Sequence, residues 1–289
     1  MVSKRIFKDF IKHWIFHCVL LRRVFIFLYK VRGRKPWSLG YSVYKFSFIK
    51  EVIDHRLHSF QEKKIPLNYG FQMDERVVEY PWLFSRLKAH ADVILDAGST
   101  LNHALILTLP QLKKSKIYIA TLAGEGFLYV EPTPSYVYED LRNMCYKNDF
   151  FDTVVCLSTL EHVGMDNTFL YTRDQEKKEN DKYAYLQALQ ELKRVLKKGG
   201  ALYLSVPYGR YKNHGWLQTF DQEMIQRIVK EFSSEKISQT YFKYENNQWS
   251  FSDESACRDG YYFDVHNAYT KDKNSLAAAQ CVACLELTK

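Results

Sequence analysis

The residues best placed to do chemistry fall at four points of the chain. Asp96, Ala97, Gly98 and Ser99 follow the apolar run Val93-Ile94-Leu95, so an acid and a glycine stand where a strand turns toward a helix. A glycine there lets the backbone approach a ligand, and N–H groups at a helix start can hold a carboxylate. Asp96 can accept from an ammonium, directly or through water. Asp140, after the short run at 136–139, can accept from an exocyclic amino group. Ser158-Thr159-Leu160-Glu161-His162 ends a third apolar run. Glu161, His162 and His214, the last in the loop 207–216, could take a proton from a hydroxyl acceptor. Each also has a plainer reading. His162 could orient its loop, His214 could be solvated, and Glu161 could be a helix-start acid favoured by the dipole.

The elements that must position these residues alternate. Strands are expected at Val93–Ala97, Lys116–Thr121, 136–139, 153–158 and 201–206, with two late ones at 237–244 and 279–287. A helix is expected over 181–198, stopped by Gly199-Gly200 as a left-handed C-cap. Another follows the cap residue Asp221. Upstream, residues 37–64 read as mainly helical, and Asp74 opens a helix at 75–87 that is interrupted or restarted at Pro81. Strands alternating with helices predict an α/β fold: a Rossmann-like, seven-stranded, mostly parallel sheet with helices on both faces, plus an N-terminal helical extension. The expected division is a basic arm at 1–36, a helical extension at 37–90 and the α/β domain at 91–289.

In order, Leu95-Asp96-Ala97-Gly98, Phe151-Asp152 with Leu160-Glu161-His162, and Leu192 to Gly200 resemble the signatures of class I S-adenosylmethionine-dependent methyltransferases, over roughly residues 70 to 289. Residues 75–82 are similar to enzymes of bacterial surface-polysaccharide pathways. The resemblance implies S-adenosylmethionine as cofactor. It implies that Asp140 and the backbone of Leu141 meet the adenine, and that Ser158 and Thr159 lie beneath the sulfonium. The chain departs from the pattern where Thr100 and Asn102 replace the second and third loop glycines. It departs again where the second strand ends in Thr121 rather than an acid, which leaves the ribose to Thr121 or to Glu125. Methyl transfer from a sulfonium is a direct displacement that needs alignment and no intrinsic metal.

Charge and cysteine usage narrow the setting. Residues 1–36 carry ten basic residues and one acid, while the whole chain is only +8, so the basicity belongs to an arm. Its apolar residues Phe7, Ile11, Trp14, Cys18, Leu21, Phe25 and Leu28 share a helix face, and Arg22 and Arg23 argue against a membrane span. The arm could lie on an anionic membrane surface, or pack on the body or on a second copy. Six scattered cysteines fit a reduced, cytoplasmic protein, peripheral at the inner membrane face where the arm docks. Cys281 and Cys284 form a CxxC without a second pair and read as buried residues of a strand. The expected acceptor is a small or glycan-type molecule, for which the ring-rich tract 260–266 would make a platform. A nucleic-acid methyltransferase and a non-catalytic binding protein are the alternatives. The first is disfavoured because no Asn/Asp-Pro-Pro-aromatic segment follows the fourth strand.

Overall fold

The computed structural model describes residues 18–87, 93–124, 134–171, 174–264 and 278–289. Its first part is helical: α1 (Val19–Val31), α2 (Tyr41–His55), α3 (Leu57–Gln61) and α4 (Arg76–Arg86). Then come β1 (Val93–Ala97), the short α5 (Ala104–Leu107), β2 (Lys116–Thr121), β3 (Ser135–Tyr138), β4 (Phe151–Leu157) and α6 (Thr168–Tyr171). The rest comprises α7 (Tyr185–Val195), β5 (Leu196–Pro207), the two-residue strands β6 (Lys212–Asn213) and β7 (Gln218–Thr219), α8 (Gln222–Phe232), β8 (Lys236–Glu245), β9 (Gln248–Ser252), α9 (Glu254–Cys257) and β10 (Cys281–Thr288).

The main sheet runs β3-β2-β1-β4-β5-β10-β8-β9. Its first five strands are parallel, whereas β10 is antiparallel to both β5 and β8, and β9 to β8. The sheet therefore has eight strands, not the seven expected, and its added strand is β9. Asn246 and Asn247 join β8 to β9 with φ of 52° and 62°. Two left-handed residues are what a type I′ hairpin turn requires, and Asn tolerates them.

Alternate residues of each strand face opposite layers. Ile94, Val155, Tyr203 and Cys284 pack with α2, α3 and α4 on one side. Leu95, Val154, Cys156, Leu202, Leu204 and Leu285 pack with α7 and α8 on the other. Both faces are covered, which is why the strands read as nearly continuous apolar runs. The helices between 41 and 86 thus form one of the two layers.

Two expectations about helices are corrected. Helix α7 stops at Val195, and Leu196 already pairs with Phe151, so the strand begins before the glycines. Gly199, at φ +73°, sits in a strand irregularity and donates its N–H to the Lys289 carbonyl. Helix α4 runs through Pro81 without a break. Proline has no N–H for the Val77 carbonyl one turn earlier. The buried Tyr69 hydroxyl donates to that carbonyl instead, at 2.6 Å. At the start of α4, Asp74 caps the Arg76 N–H and is itself held by Lys45 at 2.5 Å and the Tyr41 hydroxyl at 2.9 Å. Asp221 caps α8 through the Met224 N–H.

Replacing Tyr69→Phe keeps the ring and removes the donor. A urea titration should show a loss of about 1–3 kcal/mol, the cost of a buried unpaired carbonyl. An unchanged midpoint would mean that Val77 needs no partner there.

Candidate active site

The chain runs outward from β1 to β2 and β3, then returns to place β4 on the other side of β1. The carboxyl ends of β1 and β4 therefore diverge, and ligands of open α/β sheets bind in such a crevice. A cavity of about 550 Å³ opens there. Of the residues singled out in the sequence, Gly98, Thr121, Asp140, Leu141, Ser158, Thr159 and His162 line it. Asp96, Ala97, Ser99, Glu161 and His214 do not. Glu125, the other ribose candidate, lies outside the described residues, as do residues 265–266 of the ring-rich tract.

Asp96 is fully buried behind its loop. Its Oδ1 accepts from the Thr100 N–H at 3.0 Å and the Thr100 hydroxyl at 3.1 Å, and its Oδ2 accepts from the Leu101 N–H at 2.8 Å. Two loop amides expected to be free for a ligand are thus turned inward onto this carboxylate. Gly98 has φ +109°, and a Cβ added there would fall 2.2 Å from Thr159 Oγ1. Only glycine lets the β1 loop and the β4 loop close on each other. Ser99 is also left-handed, at φ 63°, and its buried hydroxyl oxygen has no hydrogen-bond partner among the described residues.

On the far wall, Arg142 grips Asp140 through Nε at 3.0 Å and Nη2 at 2.5 Å, and reaches Glu179 at 2.6 and 2.7 Å. Burial disfavours the charged form of Asp140, but Arg142 outweighs it and holds the carboxyl below its usual pKa. Sequence reading missed Arg142 and Glu179. The signal for the first was the spacing Asp-x-Arg, and for the second there was none, because 37 residues separate the partners.

The opposite end is organised by Glu79, which is fully buried on α4. Its Oε1 accepts from the hydroxyls of Ser158 and Ser205, both at 2.6 Å, and its Oε2 accepts from Arg76 Nη1 at 3.0 Å. Arg76 also lines the cavity. Burial works against the Arg76 charge, but Glu79, Tyr80, Glu75 and Glu161 more than restore it. Glu161 lies in a 3-10 turn over Leu160–His162, almost wholly buried. Its Oε2, like that of Glu75, is shut off from solvent with no partner among the described residues. Burial pushes Glu161 well above the usual carboxylate range. Burial, with the charges of Asp74 and Glu79, pushes Glu75 up to about 8.

His162 Nδ1 lies 3.0 Å from the Trp216 carbonyl. A carbonyl only accepts, so Nδ1 carries the proton and Nε2 is the acceptor. Burial lowers this histidine to about 4 against the opposing pull of that hydrogen bond, so the ring is neutral near pH 7. The His162 ring meets Trp216 at 5.1 Å, Trp216 meets Tyr262 at 6.5 Å, and Tyr262 meets His214 at 5.2 Å. Trp216 Nε1 donates to Asp264 at 3.1 Å. His214 is set back from the cavity, its Nε2 3.2 Å from Thr219 Oγ1, with its pKa lowered by burial and by Lys212.

The family described as a methyltransferase domain matches residues 120–204, from the end of β2 into β5. No curated protein matches. Similar solved structures include an S-adenosylmethionine-dependent methyltransferase from Archaeoglobus fulgidus, 10% identical with a TM-score of 0.46, over 75% of this chain and 96% of that one. Another, from Thermotoga maritima, is 12% identical with a TM-score of 0.44, over 84% and 100% of the two chains. A third is a 1,6-didemethyltoxoflavin-N1-methyltransferase from Burkholderia thailandensis with bound S-adenosylhomocysteine, 13% identical with a TM-score of 0.39, over 69% and 72%. The matched segment supplies the Asp140 and Ser158–His162 walls of a crevice large enough for a nucleoside-linked amino acid. Residues 120–204 of the chain thus match a methyltransferase domain.

Proposed function

We propose that the chain methylates a hydroxyl of a small, glycan-type acceptor, of the kind used in surface-polysaccharide synthesis, on the cytoplasmic side of an anionic membrane. In this reading Asp140 and the Leu141 backbone hold the adenine, Thr121 meets the ribose, and the Gly98 loop lies along the methionine half. Ser158 and Thr159 floor the sulfonium. The bound cofactor supplies a methyl group on a good leaving group, and alignment does most of the rest.

The observation that carries the reading is the tautomer of His162. With Nδ1 donating to the Trp216 carbonyl, Nε2 of the neutral ring keeps its lone pair, and His162 lines the cavity. Trp216 and Tyr262 continue the His162 wall as ring surfaces on which a sugar could stack. Burial favours the protonated forms of Glu75 and Glu161, and a protonated carboxyl can both donate and accept, as a hydroxyl does.

Labelled cofactor incubated with cellular fractions should deliver its methyl group to polysaccharide or its precursors. Label confined to RNA or DNA would defeat the proposal. His162→Gln should lower kcat about 100-fold or more, the usual worth of a positioned base, while the Kd for the cofactor stays unchanged. An equal loss of cofactor affinity would make His162 part of the binding wall instead.

Glu75 has a consequence for stability. Its folded-state pKa is raised from 4.5 to about 8. The folded state therefore binds the proton more tightly, and the associated stability is complete below about pH 4.5 and lost as pH rises toward 8. At about 1.4 kcal/mol per unit this amounts to at most about 5 kcal/mol. Glu75→Gln should flatten the fall in Tm across that interval. Parallel Tm curves for the two proteins would show that Glu75 is ionised throughout.

A further inference from the structure

We infer that α1 is a docking helix for an anionic bilayer, and that it holds the cofactor-binding end of the sheet at the lipid surface. The inference deepens the membrane placement proposed above and rests on it. Leu20, Val24, Phe27 and Val31 recur at spacings of four, three and four, which puts them on one face of α1. That face is open to solvent: Leu20 is 72% exposed, Phe27 63% and Val31 61%. Trp37 and Leu39, just beyond the helix, are exposed as well. Scattered surface leucines need no explanation, but an apolar row along a whole helix does.

The charges around this row choose the occupant. Residues 18–40 contain Arg22, Arg23, Lys30, Arg32, Arg34 and Lys35, and no acid. An apolar row flanked by basic residues only is suited to the interface of an anionic membrane, with the row among the acyl chains and the cations at the headgroups. A second copy of the same face would bring like charges together. The helix is also too short to cross: no helix of the described residues is long and apolar enough for a span.

The opposite face of α1 ties the surface to the site. Tyr29 is fully buried and its hydroxyl donates to the Arg34 carbonyl at 2.7 Å. Phe25 and Ile26 pack on Val43, Ala104 and Leu105. Ala104 and Leu105 open α5, directly after the loop whose Gly98 and Thr100 line the cavity. A bilayer under α1 therefore lies next to the cofactor loop, and an acceptor carried on a lipid would be presented at that end of the sheet.

Flotation of the full chain with vesicles tests this. Vesicles of phosphatidylcholine mixed with phosphatidylglycerol should retain the protein, pure phosphatidylcholine vesicles should not, and added salt should release it. Leu20→Ser combined with Phe27→Ser should weaken retention about tenfold or more. Arg23→Glu combined with Lys30→Glu should weaken it by about fivefold or more for each charge removed. All of these side chains face water, so cofactor affinity measured on the same samples should not change. Equal retention on both vesicle types, no retention on either, or full retention of both double variants would overturn the inference. So would a wild-type dimer that Phe27→Ser separates, since a second copy would then own the face. Loss of cofactor binding with vesicle binding intact would strike at the methyl-transfer reading and leave the docking face standing.

Discussion

Glu79 is the constraint on which the site depends. A fully buried carboxylate is tolerable only when charge and lone pairs are met, and breaking such an arrangement typically costs 3–5 kcal/mol. Its partners come from three elements: Arg76 from its own helix, Ser158 from the end of β4 and Ser205 from β5. The layer formed by α4 is thereby pinned to the carboxyl edge of the sheet at the point where the strands diverge. Ser158 adopts φ 40°, an unfavourable conformation for a serine, and its hydrogen bond to Glu79 helps to hold it there. The same carboxylate orients Arg76 along the cavity wall. One buried charge thus sets both the floor of the crevice and the cation beside it.

That arrangement also fixes the protonation of its neighbours. Burial dominates at both Glu75 and Glu161, reinforced at Glu75 by the charges of Asp74 and Glu79, and at Glu161 it outweighs a backbone hydrogen bond and the attraction of Arg76. They are cheapest as neutral carboxyls. His162, buried next to the Arg76 charge, is cheapest as a neutral ring. Burial thus favours the neutral forms of Glu75, Glu161 and His162 beside the Arg76–Glu79 pair.

How much of this was legible follows from whether the determinant is local. Strand positions were readable because two-sided burial forces runs such as VILDA and TVVCLS, and Asp221 and Asp74 were readable as caps because a cap acts within three residues. The end of α7 was misread because Gly199-Gly200 has the same appearance in a C-cap and in a strand irregularity; the pairing of Leu196 with Phe151 decides between them, and that pairing is non-local. The hairpin at Asn246-Asn247 was readable and was overlooked. Seven of the twelve site residues chosen from the sequence line the cavity, because parallel strands put all their carboxyl ends on one edge of the sheet. Arg142 was overlooked although Asp140 stands two residues before it, while the long-range partners of Glu79 and Arg142, Ser158, Ser205 and Glu179, lie 37 to 126 residues away and leave no local mark.

The altered loop after β1 is explained by the same long-range logic. A glycine-rich loop is free to follow a ligand, but it must lose that freedom on binding. Here Thr100 stands at the second glycine position and Asn102 at the third, and each is fastened. Thr100 donates twice to Asp96, and its carbonyl accepts from the Tyr80 hydroxyl on α4. The Asn102 side-chain carbonyl accepts from the Tyr136 hydroxyl on β3 at 2.9 Å. The loop is thus tied to β1, to the helical layer and to the outer strand, and its conformation is set before any ligand arrives. Glycine remains only at Gly98, where Thr159 leaves no room for a Cβ. The substitutions exchange backbone flexibility for side-chain hydrogen bonds while keeping the one close approach that the crevice requires.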